Sequence, residues 1–388
     1  MVSLVPLDPG LVKAPLQVGA LVVRDADGGM SARPARLVEG EASVAEVGHD
    51  GMPLGLDNAG AQHAFVEAGG RAGVVGLDCD VVDAWHARGT MRHVVLIVNP
   101  HASEVTEQRL ATVEQALRER VRLTVQRTER PAHATELARE AEGEADTILV
   151  YGGDGAFNEV LNGLSRGVPV GFLPGGRTNV LPRALGLPRD SRRAATQLAE
   201  ALERERIRRI SLGRVNGRRF AFAAGVGLDA ELVRRVDALG RREDGKRPGD
   251  LAYIRTTVGL LRERRAHFEP VLAVGGLGRA AFALVANCDP YTYAGRLPIH
   301  VAPEARFELG LDVLAPERVK PASIPRLLRY AFTGRGQTHA RDLRYAHDLD
   351  RIELVCDRPL PLQADGEDLG DVERAEFVAE RGAVSVLV

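Results

Sequence analysis

From His93 onward the chain alternates short, continuous apolar runs with amphipathic stretches. The run "HVVLIV" (93–98) stops at Asn99 and Pro100, as a strand buried on both faces would. In the following "TEQRLATVEQALRERV", Leu110, Val113, Leu117 and Val121 recur three to four positions apart, which predicts one apolar helix face. Strand-like "RLTVQRT", helical "HATELAREAE", strand-like "DTILVY", helical "AFNEVLNGL" and strand-like "VPVGFL" come next, then helical stretches near "RALGL" and at "SRRAATQLAEALERE". Such alternation predicts an α/β fold, a parallel sheet covered by helices on both faces, over residues 91–206.

Near residue 207 the pattern changes. "IRRISLGRVNGRRFAFAAGVG", "PVLAVGGLGRAAFALVANC", "FELGLDVL", "RYAHDLDRIELVCD" and "RAEFVAERGAVSVLV" are short alternating or β-branched segments joined by Gly, Pro and Asn turns. They predict a mostly antiparallel, β-rich domain over 207–388. A long helical stretch from 228 to 266, interrupted at "GRREDGKRPGD", is inserted in it. Residues 1–90 show no sustained period of 2 or 3.6 and read as loosely ordered or a small N-terminal appendage.

Composition narrows the function classes. The 388 residues hold 45% hydrophobic side chains, enough for a sizeable core, and a formal net charge of -2 exerts no global pull on nucleic acid. The basic side chains are almost all Arg, with Lys only at Lys13, Lys246 and Lys320. Cys79, Cys288 and Cys356 are widely spaced and form no CxxC pair, which argues against a disulfide framework or a structural zinc site and for a reducing, cytoplasmic setting. No run of eighteen apolar residues suggests a transmembrane segment, so any membrane contact is expected to be peripheral.

The densest chemistry lies in "LVYGGDGAFNEVLNGL" (149–164), where Gly152, Gly153 and Gly155 surround Asp154 between a strand and a helix. Glycines at a strand end let backbone approach a ligand, and the helix start offers free N–H groups to a phosphate. Asp154 in that position would bind Mg2+, accept from a hydroxyl or take a proton; the bland alternative is a tight turn whose Asp caps the helix. Two other glycine patterns carry less. Gly225, Gly227 and Ala230 match GxGxxA, but no acidic partner on a following strand completes the dinucleotide unit. Gly240, Gly245 and Lys246 match GxxxxGK, but Arg247 stands where a phosphate loop needs Ser or Thr.

Read together, "LIVNPHAS" (96–103), "VYGGDGAFNEVLNGL" (150–164), "LPGGRTNVLPRALGLP" (173–188), "FAAGVGLDAELV" (222–233) and "DGE" (365–367) resemble, in order and spacing, the diacylglycerol kinase catalytic family, which includes bacterial diacylglycerol and lipid kinases and the sphingosine and ceramide kinases. The resemblance spans roughly residues 93–388. It implies an N-terminal domain like that of NAD kinases and 6-phosphofructokinases, followed by the β-rich domain. ATP and Mg2+ would bind in the cleft between them, and the γ-phosphoryl group would pass to a lipid hydroxyl, that of diacylglycerol first. By the same resemblance Asn99, Pro100, Ser103, Thr128, Gly152, Gly153, Asp154, Gly155, Asn158, Gly176, Thr178 and Asn179 would bind the nucleotide. Asp154 would organise Mg2+-ATP, and Asp365 and Glu367 would serve catalysis, with Glu367 taking the proton from the alcohol.

The chain also departs from the family pattern. Ala156 replaces the usual Thr after GGDG, Gly176 and Arg177 alter the third motif, and Leu309 stands at an acidic position of a second, structural Mg2+ site, leaving Glu308 and Asp312 as its candidate ligands, apart from Asp154 at Mg2+-ATP. An NAD-kinase-like activity, or a catalytically weak lipid- or nucleotide-binding protein that keeps the fold, therefore stays open. So does a homodimer. Between 234 and 265, ten basic residues against five acidic, interspersed with apolar ones, suggest a surface for anionic lipid headgroups or a merely solvated face.

Overall fold

A computed structural model describes residues 92–165, 167–240 and 249–388, together with short strands between 19 and 76. The chain divides into two compact units, Met1–Thr90 and Met91–Val388. In the first, the described strands form three antiparallel pairs: Gly19–Arg24 with Met30–Ala35, Glu46–Val47 with Pro53–Leu54, and His63–Ala68 with Arg71–Gly76. The remainder of that stretch, and with it the expectation of loose order, lies outside the described residues.

The second unit begins with four parallel strands, β1 (His93–Val98), β2 (Arg122–Arg127), β3 (Thr147–Gly152) and β4 (Val170–Pro174), side by side in the order β2-β1-β3-β4. β3 and β4 are buried along their whole length and β1 at all but its first residue, which explains their unbroken apolar sequences. Helices α1 (Glu107–Arg118), α2 (His133–Ala141), α3 (Asp154–Gly163), α4 (Val180–Ala184) and α5 (Ser191–Glu203) connect and cover them. α1 buries Leu110, Val113 and Leu117, the predicted stripe, and Thr106 caps it by accepting from the Arg109 N–H at 3.3 Å. Phe157 of α3 meets Phe172 of β4 edge to face, with ring centroids 5.2 Å apart.

The β-rich part contains β5 (Ile207–Val215), β6 (Arg218–Phe220), β7 (Ala223–Val226), β8 (Leu272–Val274), β9 (Gly278–Ala280), β10 (Ala283–Ala286), β11 (Thr292–Ala294), β12 (Leu297–Ile299), β13 (Leu311–Pro316), β14 (Leu343–Leu349), β15 (Arg351–Ala364) and β16 (Glu367–Leu387). Its helices are α6 (Leu228–Ala238), α7 (Asp250–Glu263) and α8 (Ile324–Thr333). All the strand contacts there are antiparallel, as the alternating segments suggest. The two parts nevertheless share one sheet, with the path β14-β13-β10-β7-β15-β16-β4-β3-β1-β2. The link is β16, 21 residues long: it is antiparallel to β15 and β5, then reaches β4, where Val386 lies beside Val170 in parallel register.

The structure also explains two sequence features. β7 is antiparallel to both β10 and β15, so the GxGxxA stretch opens no parallel βαβ unit and is not a dinucleotide site. Gly227 is instead the residue before α6, at φ 95°, where L side chains are strained. The GxxxxGK stretch lies almost entirely outside the described residues. Helix α8 is not foreseen: Pro321 and Pro325 at its start read as turn residues, although Pro is tolerated in a first helical turn.

Gly213 of β5 is forced by packing. Phe220 lies flat over it, so a Cβ there would fall 2.0–2.5 Å from three ring carbons, and that ring in turn meets Phe377 at 6.2 Å. Gly213→Ala should destabilise the second unit by about 3 kcal/mol through overpacking. Urea unfolding with an unchanged midpoint would show that the ring has room to move.

Candidate active site

Loops leaving the carboxyl ends of β1, β3 and β4 meet through bare backbone. The Gly175 N–H donates to the Gly152 carbonyl at 2.6 Å, and the Glu104 N–H to the Gly175 carbonyl at 2.8 Å. Side chains would not fit: a Cβ on Gly176 would lie 2.7 Å from Gly153 Cα, and one on Gly152 2.9 Å from Ala156 Cβ. Asn179, at φ 52°, clasps the third loop, its Oδ1 accepting from the Gly176 N–H at 2.8 Å and its Nδ2 donating to the Gly176 carbonyl at 2.6 Å. Asn99 does the same for the first loop: its N–H donates to the Tyr151 carbonyl at 2.9 Å, and its Oδ1 accepts from the His101 N–H at 3.0 Å. Pro100 and Ser103 follow on that loop, Thr128 is buried just beyond β2, and half-buried Thr178 precedes Asn179. No side chain caps α3, so its first-turn N–H groups stay available to an anion at this strand edge.

Asp154 opens α3 and joins two loops, its Oδ1 accepting from the Leu181 N–H of α4 at 3.3 Å. Part of its surface stays open to solvent, yet the protein crowds the carboxyl closely. Loss of solvation pushes its pKa from 3.8 up to about 6, against the pull of the Val180 and Leu181 amides. The protonated form is thus favoured by folding, and ionisation above pH 6 costs up to about 3 kcal/mol relative to the unfolded chain, a cost relieved as pH falls from above 6 toward 4. Asp154→Asn should therefore raise the urea midpoint at pH 8 and leave it nearly unchanged at pH 4. A lower midpoint at pH 8 would contradict the strain assigned to this carboxylate.

The second half brings its DGE segment to the same loop. A Cβ placed on Gly155 would stand 3.3 Å from Glu367 Oε1, so this carboxylate faces the glycine loop. Its Oε2 accepts from the Arg218 guanidinium, which also donates to Asn158 Oδ1 at 3.0 Å. Asp365, expected beside Glu367 in catalysis, is committed elsewhere. Its Oδ2 accepts from Asn158 Nδ2 at 2.8 Å and the Ala221 N–H at 2.6 Å, and its Oδ1 from the Phe222 and Ala223 N–H groups at 3.0 and 3.1 Å. Burial raises its pKa and these donors oppose the rise. With both oxygens filled by protein donors, Asp365 positions the turn and is not placed to accept a substrate proton.

Asn158 is committed to protein partners in the same way. Its amide donates to Asp365 and to the Arg219 carbonyl at 3.0 Å, and its Oδ1 accepts from Asn162 and Arg218, so it ties α3 to the β-rich part and has no donor left for a nucleotide. Arg218 was missed because "NGRRF" reads as an ordinary hairpin turn; nothing in the pattern marks which arginine turns inward.

Glu308 and Asp312 do not form the second metal site. Glu308 is neutralised by Arg208, which also holds its carboxyl below the usual range. Asp312 is fully buried and accepts from the Tyr345 hydroxyl at 2.6 Å, from His347 Nδ1 at 2.8 Å and from the Asp348 N–H at 3.1 Å. Among the described residues no group of three or more His, Cys, Asp or Glu side chains is placed to hold a metal ion.

Residues 93–215 match the diacylglycerol kinase catalytic domain. A diacylglycerol kinase of Bacillus subtilis (strain 168) is 28% identical over 297 residues, 74% of this chain and 93% of that protein. A diacylglycerol kinase of Staphylococcus saprophyticus is 37% identical over 95 residues, 24% of this chain and 30% of that protein. The crystal structure of a diacylglycerol kinase from Bacillus anthracis str. Sterne superposes with a TM-score of 0.57 at 19% identity, covering 77% of this chain and 98% of that one, which shows a shared fold. The match over residues 93–215, with homologues along most of the chain, indicates a kinase of the diacylglycerol and lipid kinase type, a transferase.

Proposed function

We propose that this protein phosphorylates a lipid alcohol with Mg2+-ATP as donor and diacylglycerol as the first acceptor, the substrate class named by its Bacillus subtilis relative. The observation that carries the reading is Glu367 Oε1 facing Gly155 across the loop that begins α3. The glycine-lined strand edge and the α3 N-terminus hold the phosphates, and Asp154 supplies a carboxylate for the cation they carry. The lipid oxygen attacks the γ-phosphorus, the bond to the ADP oxygen breaks, and the hydroxyl proton passes to Glu367. Arg218 fixes the orientation of that carboxylate, and Asp365 fixes the turn that presents it. Phosphoryl transfer asks mainly for such positioning and charge neutralisation.

The test is transfer of label from γ-labelled ATP into a panel of micellar lipids and, in parallel, NAD. Labelled phosphatidic acid that vanishes with Asp154→Asn supports the reading. Label in NAD assigns the neighbouring activity, and bound ATP without any labelled product assigns a binding protein.

A further inference from the structure

Sequence alone directs attention to the basic stretch 234–265 as a lipid surface, where the structure engages two of the arginines internally. Arg234 pairs with Asp368 and Asp371, and Arg235 with Glu231 and Glu263. A second stretch is basic without any acidic residue of its own. From 318 to 341 there are six basic residues, Arg318, Lys320, Arg326, Arg329, Arg335 and Arg341, and no acidic one. Arg326 is paired with Asp342 and Arg318 only loosely with Glu269, at 3.9 Å; among the described residues Lys320, Arg329 and Arg335 have no carboxylate partner.

This stretch carries α8, which buries Tyr330 inward and leaves Leu328 and Phe332 about half exposed, at 52% and 49%, one helical turn apart. The helix is joined to the β11–β12 hairpin, where the His300 N–H donates to the Ala331 carbonyl at 2.7 Å, and on that hairpin Leu297 is 59% exposed beside Arg296. Bulky apolar side chains bordered by arginines that have no carboxylate partner among the described residues suit an anionic bilayer surface. The hairpin is also tied to the nucleotide loops. Arg183 of α4 donates to the Gly295 carbonyl at 3.1 Å and lies 3.3 Å over the Tyr293 ring, while the Leu181 N–H of the same helix reaches Asp154.

We infer that the outer face of α8 and the tip of the β11–β12 hairpin dock the protein on anionic membranes, with Leu297, Leu328 and Phe332 entering the interface and Arg296, Arg329 and Arg335 meeting headgroups. The inference rests on the lipid-kinase reading for its purpose, but its test does not need activity.

The experiment is sedimentation of the full chain with phosphatidylcholine vesicles, with and without phosphatidylglycerol. Binding to the phosphatidylglycerol vesicles, weakened by high salt, is expected. The double variant Leu328→Asp with Phe332→Asp should bind at least about tenfold more weakly. The milder Arg329→Gln with Arg335→Gln should lose about 25-fold, about fivefold per charge, and serves if the first variant misfolds. Wild-type-like binding by the folded variants overturns the proposal, as does loss of binding only when Leu251 and Ile254 of α7 are changed to Asp. A dimer that dissociates on changing Leu328 and Phe332 also overturns it, because the face is then an interface between copies. Both α8 variants should phosphorylate a water-soluble short-chain diacylglycerol at the wild-type rate. Vesicle binding without any kinase activity would sink the kinase reading and leave this surface standing.

Discussion

Glu367→Gln should lower kcat by about 10²- to 10⁴-fold, the range a positioned general base contributes, while Mg2+-ATP affinity stays within about threefold of wild type. The split follows from the geometry. The glutamine keeps an oxygen for the Arg218 guanidinium and nearly the same volume above Gly155, so neither the loop nor the phosphate cradle should move. What disappears is the basic oxygen facing the loop. Steady-state kinetics with a micellar acceptor, beside calorimetric titration with Mg2+-ATP, separates the two effects. Full turnover by the variant would remove Glu367 from the proton path.

Asp365→Asn, although it changes one atom, should destabilise the second unit by about 2–5 kcal/mol and reduce kcat with it. Asp365 is 5% exposed and both of its oxygens face N–H donors. An amide has one acceptor oxygen, so its NH2 must oppose either the Phe222 and Ala223 amides or the Ala221 amide and Asn158. Either choice leaves buried donors without acceptors and pushes like dipoles together. Asp365 also sits at φ 48° directly before Gly366, so a shift there tilts Glu367 away from the glycine loop. Urea unfolding measures the first effect and kcat the second. A variant as stable as wild type with normal kcat would show the site to be less rigid than its four hydrogen bonds imply.

These two residues illustrate what the sequence conveys and where it stops. The parallel layer was legible because β1, β3 and β4 are buried on both faces and α1 keeps a clean apolar stripe, so burial wrote itself into composition. The glycine loops were legible for a related reason: backbone in contact with backbone admits no other residue. The DGE segment was legible as a site only through its resemblance, and its division of labour was not. Asp365 and Glu367 are two positions apart with the same chemistry, and only the fold decides which carboxylate is buried among amides and which faces the loop. Asn158, Arg218 and Arg183 act through partners 60 to more than 200 positions away or through a hairpin over 100 away, separations that carry no local signal. Helix α8 escaped because Pro321 and Pro325 at its start carry turn chemistry, which hides a helix whose apolar period is otherwise clear.

The long β16 strand has a consequence for how this polypeptide acquires its structure. Val170 of the parallel layer finds its neighbour only at Val386, over 200 positions later, and β5 is zipped along the same strand. Contacts so distant in sequence must pay loop-closure entropy before they return any stabilisation, which slows folding. During synthesis the early βα units must therefore wait with an open edge on β4, a template for pairing with other chains until the distal segment emerges. A fragment ending near residue 206 should aggregate where the longer chain stays in solution, and unfolding of the second unit should proceed as a single cooperative event rather than half by half.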